Sequence, residues 1–345
     1  MIVPPRLSVI VVAHDRRDFI KLAIDSALDQ SFPRDRYEIV VVKNFSQQEY
    51  DHELERQGIR VIITDEKSLA SKLALGIENS EGEIISFLED DDLFCRDKIE
   101  SVIDNMSKEK VGYYHNGYSI VDSKGKVIKG YLPYVPKNYR KNVIVETTRL
   151  TTKSINKAFL AGGYFNLSCI SVKKSVIAEK LKILRGVNVA VDNFMFYLAL
   201  ESGLEIIIDN SQLTRFRVHA ANNSIAADKN RPVFTSNKIK FFEDDMNGLL
   251  SIMSAVKNNE IRNYLSCKIF IPLLSLPLLK SESEESMISV RKVLNCAIRT
   301  RSKQLVALIV LNLISRVIRN FGSWFFFYYE SKKIKKLLES VTHNL

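Results

Sequence analysis

Gly82-Glu-Ile-Ile-Ser-Phe-Leu-Glu-Asp-Asp-Asp-Leu-Phe94 is the stretch on which the fold of this 345-residue chain turns. Glu83–Leu88 is a short, mostly apolar run suited to a strand buried on both faces. Four carboxylates, Glu89, Asp90, Asp91 and Asp92, follow it without a break. Adjacent like charges repel, so folding them into a crevice at a strand end is costly without a cation. A hard divalent ion, Mg²⁺ or Mn²⁺, would neutralise them and hold diphosphate oxygens at the same time. The plainer alternative is a solvated acidic loop, or the first turn of a helix, where acids are favoured.

The same rhythm runs upstream. Leu7–Val12 is almost unbroken apolar sequence, and Phe19, Leu22, Ala23, Ala27 and Leu28 fall at helical spacing within Asp18–Gln30. Strands are expected at Glu38–Val42 and Arg60–Ile63, and a helix at Leu69–Glu78. Repeated strand–helix–strand units predict an α/β protein with a parallel sheet and helices on both faces. Ligands on such sheets bind beyond the carboxyl ends of the strands. Downstream, Gly112–Val121 reads as a strand and Asp122–Gly125 as a turn into Lys126–Gly130. Asp192–Ser202 reads as a helix with Asp192 near its start and Gly203 as its stop, and Leu204–Ile208 as a strand.

From Ser236 the pattern becomes helical with long apolar faces. Ile269–Leu279 is apolar but broken by Pro272 and Pro277. Leu305–Leu311 is uninterrupted, but Asn312, Ser315, Arg316 and Arg319 then place polar groups on one side. The run is far short of the ~20 residues that span a bilayer, so an amphipathic helix is expected. Residues 1–245 hold 35 Lys/Arg against 34 Asp/Glu, whereas residues 246–345 hold 15 against 6, a net of +9. The aromatic run Trp324–Tyr329 stands between Arg316 and Arg319 on one side and Lys332, Lys333, Lys335 and Lys336 on the other. Aromatics flanked by cations suit a membrane interface, and peripheral membrane contact is expected. The alternative is a helical subdomain or dimer face that packs those rings, so an oligomer is possible. Nucleic acid is not expected as a partner, because the first 245 residues are nearly neutral and the basic tail is apolar and aromatic.

Hydrophobic content of 46% and charged content of 26% describe a folded protein and not a disordered one. Met1–Arg6 carries no secretory signature. Cys95, Cys169, Cys267 and Cys296 form no CxxC pair, so reduced, mostly buried thiols in a reducing compartment are expected.

Four segments, in this order, resemble glycosyltransferase family two. They are Leu7–Phe19; Ala23–Gln30 with Tyr37–Val42; Gly82–Phe94; and Leu213–His219 with Asn222-Asn-Ser224. The resemblance covers about residues 6–225 and implies a GT-A fold over 1–235. Its nucleotide half would be about 1–110 and its acceptor half about 111–235, with 236–345 as a separate basic helical region. It implies sugar transfer with inversion from a nucleotide diphosphate sugar, and a DXD metal motif in Gly82–Phe94.

Carried over residue by residue, Ala13, His14, Asp15 and Arg16 form the first nucleotide loop. His14 takes the place of a tyrosine that stacks on the base. The family's paired aspartates after the second strand are replaced by Lys43-Asn44-Phe45-Ser46, which leaves uracil or guanine open. Asn44 is either a base contact or a turn residue. Asp90 would contact ribose, Asp91 and Asp92 the metal or its waters, and His219 the metal or diphosphate. Asp192 would be the base that takes the acceptor proton, and equally a helix cap. Lys67 and Lys72 could meet phosphates, although lysines on a helical face are usually solvated.

The expected enzyme transfers a sugar to a hydroxyl of a glycan or lipid-linked acceptor from the cytoplasmic side of a membrane. A polyisoprenyl-phosphate glycosyltransferase is the alternative; its acceptor is already ionised and needs no base. A sugar-phosphate nucleotidyltransferase would be expected to show a glycine-rich loop, and Ala13–Asp18 has no glycine. The remaining rival is a non-enzymatic nucleotide-binding protein.

Overall fold

The computed structural model describes residues 6–128, 142–187, 190–219, 231–280, 289–315, 324, 325 and 328. The chain forms two compact units. The first comprises Met1–Val127, Pro136–Leu150 and Lys157–Arg217; the second comprises Ile128–Val135, Thr151–Asn156 and Val218–Leu345.

Among the described residues the first unit holds nine strands: β1 (Leu7–Ala13), β2 (Tyr37–Lys43), β3 (Arg60–Ile63), β4 (Ile84–Glu89), β5 (Leu93–Phe94), β6 (Val111–Val121), β7 (Val143–Val145), β8 (Ile170–Lys173) and β9 (Glu205–Arg217). They lie in the order β3-β2-β1-β4-β8-β6-β9-β5, with β7 also on β9. β3, β2, β1 and β4 are mutually parallel, as the strand–helix rhythm predicts. Beyond β4 the sheet is mixed: β8 runs antiparallel to β4 and β6, β6 and β9 are parallel, and β5 and β7 are antiparallel to β9. The mostly parallel sheet expected from the sequence is therefore the one observed, with antiparallel pairing confined to β5, β7 and β8. β8, four residues long, is too short for periodicity to separate it from a loop.

β1 explains the layering. Every one of its residues is buried, because strands flank it on both sides and helices cover both faces. Leu7, Val9 and Val11 share a core with Ile20, Ala23, Ile24 and Ala27 of helix Ile20–Leu28 and with Ile99, Val102 and Ile103 of helix Lys98–Met106. The alternate residue Ile10 faces Gly76 of helix Leu69–Glu78 so closely that a β-carbon on Gly76 would sit 2.6 Å from its Cγ2. Each such buried aliphatic side chain stabilises the fold by about 1.5–3 kcal/mol.

Gly82, at the entry to β4, is closer still. A β-carbon there would lie 2.6 Å from both the amide nitrogen and Oγ of Ser8, whose hydroxyl accepts the Gly82 N–H at 2.8 Å. Backbone cannot step aside as a flexible side chain can. Gly82→Ala is expected to destabilise by about 1–3 kcal/mol, seen as a lower urea midpoint at unchanged slope.

Helix Val191–Glu201 begins one residue before the expected start and ends before Gly203, whose φ of 77° is the left-handed stop. β9 departs more from expectation. Leu204–Ile208 and the Leu213–His219 run are not separate strands, since one strand continues from Glu205 to Arg217. Its polar middle, Asp209–Gln212, breaks the apolar pattern, and pairing with β6 carries the strand through it. Within that pair Gly117 lets β6 approach, because a β-carbon there would stand 2.7 Å from the Asn210 carbonyl oxygen.

The second unit contains helices Arg231–Ala255, Asn259–Lys280, Val290–Thr300 and Lys303–Ser315. Pro272 and Pro277 do not break the second of these. A proline inside a helix costs about 3 kcal/mol. Burial offsets it: Leu274 and Leu278 pack with Val293, Ala297, Leu305, Leu308 and Ile309. Asn312 also donates to the Leu274 carbonyl at 3.0 Å, close to the turn that Pro277 disturbs. The expectation of four reduced thiols is corrected here, since Cys267 and Cys296 form a disulfide. The helical packing brings their Cα atoms to 5.2 Å although 29 residues separate them in sequence. Cys95 and Cys169 are free thiols, and Cys169 is buried.

Among the described residues no helix is long and apolar enough to cross a membrane. Of the aromatic run, Trp324 and Tyr328 stack at 5.4 Å between centroids and are about half exposed (49% and 52%). Arg316, Arg319, Lys332, Lys333, Lys335, Lys336, the strand expected at Lys126–Gly130 beyond Ile128, and Asn222–Ser224 lie outside the described residues.

Candidate active site

The parallel register gathers the site. Ala13 pairs with Lys43, and Val12 with both Val42 and Glu89, so β1, β2 and β4 end level. His14, Asn44 and Asp90 therefore emerge side by side from one edge of the sheet, where ligands of such sheets bind.

In the loop after β1, Asp15 has a φ of 57°, a left-handed conformation that aspartate tolerates better than most residues. Asn44 braces it from both sides. Its Oδ1 accepts the Asp15 N–H at 2.9 Å, and its Nδ2 donates to Asp15 Oδ1 at 2.6 Å. His14 is exposed, with its Nδ1 2.5 Å from Lys72 Nζ and its Nε2 3.3 Å from the Asp15 carboxylate. An ammonium donating to Nδ1 leaves the ring proton on Nε2, facing Asp15. Lys72 is not on a solvated helical face: it is 1% exposed. Burial lowers its pKa, and the nearby Asp15, Asp90 and Glu66 oppose that shift. Lys67 is exposed.

The four acids after β4 do not act alike. Asp90 and Asp91 form the turn between β4 and β5, and both are held by Arg16. The guanidinium donates Nη1 to Asp91 Oδ2 at 2.7 Å, and Nε to Asp90 Oδ2 at 3.3 Å, with a further short contact from Nη2 to Asp90 Oδ1. Burial and the Asp91 charge push Asp90 up to about 6 even so, because Arg16 offsets only part of the cost. Asp92 points inward. One oxygen accepts the Arg217 N–H at 3.0 Å, and the other accepts Asn166 Nδ2 at 3.3 Å. Glu89 is raised well above the ordinary carboxylate range, first by burial and then by the charges of Asp91, Asp92, Asp192 and Asp90.

Arg217 and Asn166 were not legible as site residues. Arg217 is 1% exposed; its Nε donates to the Asp91 carbonyl at 2.8 Å, and its guanidinium lies 4.7 Å from the Phe19 ring centre. Nothing in the sequence separates it from its exposed neighbour Arg215; only the strand register does. Asn166 adopts a φ of 65°, a conformation in which asparagine is enriched.

Asp192 sits in the first turn of its helix and is not the cap. Ala190 holds that position, with a φ of 60°. The Asp192 carboxyl is pushed up to about 6 by burial, against stabilising backbone N–H donors from Asn193, Asn166 and Asp192 itself. Asn166 donates its side-chain amide to Asp92, and its backbone N–H is among the groups that favour the ionised Asp192 carboxylate, so it lies near both groups of acids. His219 belongs to the second unit.

Among the described residues no group of three or more His, Cys, Asp or Glu side chains is arranged to hold a metal ion. The donor chemistry still suits a hard cation. Mg²⁺ is commonly bound through one or two carboxylates plus substrate phosphates and water, which is what Asp90 and Asp91 can offer beside a diphosphate.

Residues 8–173 match the family described as Glycosyl transferase family 2. The chain is similar to an uncharacterized glycosyltransferase of Rickettsia conorii, with 31% identity over 36% of this chain and 21% of that protein. It is similar to the putative teichuronic acid biosynthesis glycosyltransferase TuaG of Bacillus subtilis, with 30% identity over 35% of this chain and 50% of that protein. It therefore spans half or less of the length of these two relatives. An uncharacterized glycosyltransferase of Haemophilus influenzae aligns more fully, at 23% identity over 72% of this chain and 92% of that protein.

Among solved structures, Staphylococcus aureus TarS in complex with UDP-GlcNAc has a TM-score of 0.59 at 15% identity, over 92% of this chain and 89% of that one. The mannosyltransferase PcManGT of Pyrobaculum calidifontis, in complex with GDP-Man and Mn²⁺, has a TM-score of 0.51 at 16% identity, over 99% and 87%. At such identities the likeness shows the fold: an α/β architecture of the GT-A kind with a C-terminal helical region.

Proposed function

We propose that this chain is an inverting glycosyltransferase of family two, moving a sugar from a nucleotide diphosphate sugar to an acceptor hydroxyl on a glycan or lipid-linked glycan. The observation that carries the reading is the meeting of acids at the strand ends: Asn166 donates to Asp92 at 3.3 Å, and Asp192, a carboxyl pushed up to about 6, lies close enough for its charge to raise Glu89 of the same acidic run. A base near that value is ionised at neutral pH yet still basic enough to take a proton during attack.

In this reading Asp192 accepts the acceptor's hydroxyl proton as the oxygen attacks the anomeric carbon. The new carbon–oxygen bond forms as the bond to the diphosphate breaks, and the diphosphate leaves with the electron pair. When bound at Asp90 and Asp91, Mg²⁺ or Mn²⁺ would supply the charge that stabilises this leaving group. His14, fixed by Lys72, offers its exposed ring to the base, and Asn44 holds the Asp15 turn beside it.

A panel of UDP- and GDP-sugars, tested for binding and slow hydrolysis with Mn²⁺, checks the reading. The two nucleotides in the similar solved structures leave both bases in play. If no member of the panel bound, the donor-binding role would be lost.

The proposal places the enzyme at the cytoplasmic side of a membrane, with the 246–345 region making peripheral contact. Support comes from its net charge of +9, from the half-exposed Trp324 and Tyr328, and from the apolar exposure of Val306, Val310 and Leu313. The Cys267–Cys296 bond pulls the other way, because disulfides persist in oxidising compartments. Thiol titration of the freshly isolated protein reads which state it holds. The full-length chain is expected to sediment with anionic vesicles and to release as salt rises, since each surface cation contributes about 1 kcal/mol. Indifference to such vesicles would return the region to a packing or subunit face.

A further inference from the structure

We infer that Arg16 is the resident counter-cation of the Asp90–Asp91 turn, and that it makes metal binding depend on diphosphate binding. The inference rests on the glycosyltransferase reading and adds to it an order of events. In the free enzyme the guanidinium neutralises both carboxylates; a divalent ion takes them when a diphosphate offers Arg16 another anion.

The geometry carries this. The side chains of Asp90 and Asp91 are 4% and 10% exposed, so their charges are little screened by water and need a cation beside them. Arg16 meets them with its planar fork, Nε and Nη2 on one carboxylate and Nη1 on the other. These are oxygens a divalent ion would need, and they converge on the guanidinium. Arg16 keeps a third of its side chain exposed, which leaves it room to turn. The loop beneath it need not move, because Asn44 braces the adjacent Asp15 backbone. A guanidinium fork matches phosphate as well as it matches carboxylate, so a diphosphate at this edge is an alternative partner for it. Metal and diphosphate should then each raise the affinity of the other by the same factor.

The test is a Mn²⁺ titration of the full-length protein, followed by the electron paramagnetic resonance signal of free Mn²⁺. It compares wild type, Arg16→Met and Arg16→Gln, each alone and with saturating UDP or saturating GDP. Both variants are expected to bind Mn²⁺ alone about tenfold or more tightly than wild type, the scale of a lost charge-assisted hydrogen-bond pair. The gain in affinity that a nucleotide confers is expected to shrink. Adding Asp91→Asn to Arg16→Met should abolish the new tight binding. Mn²⁺ binding no tighter than wild type in either folded variant overturns the inference, as does tight binding that survives Asp91→Asn. The two readings also separate: tightening in the variants with no response to either nucleotide upholds the resident cation and overturns the donor-binding role.

Discussion

Asp192→Asn is expected to lower turnover on a hydroxyl acceptor by about 10²–10⁴-fold, the usual contribution of positioned proton abstraction. The substitution keeps the shape and can still accept the Asn193 N–H group, but it cannot take a proton. Donor affinity should change little, since among the described residues no observed contact joins Asp192 to the nucleotide loop. The wild-type rate should carry a signature of the same group. Burial raises the Asp192 carboxyl to about 6, and only its ionised form is a base. The second-order rate constant should therefore rise with pH through about 6 and lose that limb in the variant. On a phosphate acceptor, already ionised, the loss should be slight, so the same pair of proteins separates the two acceptor classes. Near-normal turnover of the variant on a confirmed hydroxyl acceptor would remove Asp192 from the mechanism, leaving Glu89, which lies close enough to feel its charge, as the next carboxylate to test.

Asp91→Asn is expected to cost about 10²–10³-fold or more in transfer, the scale of removing a preorganised electrostatic contact to developing charge. Nucleoside diphosphate binding in Mn²⁺ should weaken with it. The fold should survive, because the change removes one of four crowded like charges and Arg16 keeps its contact with Asp90. The neighbouring Asp92→Ala should behave differently. It strips partners from the buried Arg217 N–H and Asn166 amide, and an unpaired buried donor costs about 1–3 kcal/mol. Thermal melts beside transfer assays distinguish the two: a lost activity with an unchanged melt for Asp91, and a lowered melt for Asp92. Full transfer by the wild type in EDTA would defeat the metal role whatever the variants do.

The first hundred residues were the legible part. A parallel strand covered on both faces must be apolar at nearly every position, and β1, β2 and β4 announce themselves that way. The bounds expected for β3 and for helix Leu69–Glu78 match those observed, because local signals agree there: β-branched residues in the strand, and Ser68 capping the helix by accepting the Ser71 N–H at 3.0 Å. The acidic turn was visible too, since four carboxylates in a row are conspicuous whatever their fate.

What each acid does was decided only in three dimensions. Asp91 and Asp92 are adjacent and chemically identical, yet one faces Arg16 from 75 residues away and the other faces the Arg217 backbone from 125 residues away. No local pattern encodes pairings of that separation. The same is true of Lys72, which the helical pattern leaves on a solvated face and the fold buries against His14. It is true again of Cys267 and Cys296, joined by helix packing across 29 residues. Sequence determined β1 to β4 and their order of appearance, because burial within a parallel sheet dictates composition residue by residue. Tertiary structure decided which charges meet, because that depends on strand register and helix packing, which join residues that no short-range signal connects.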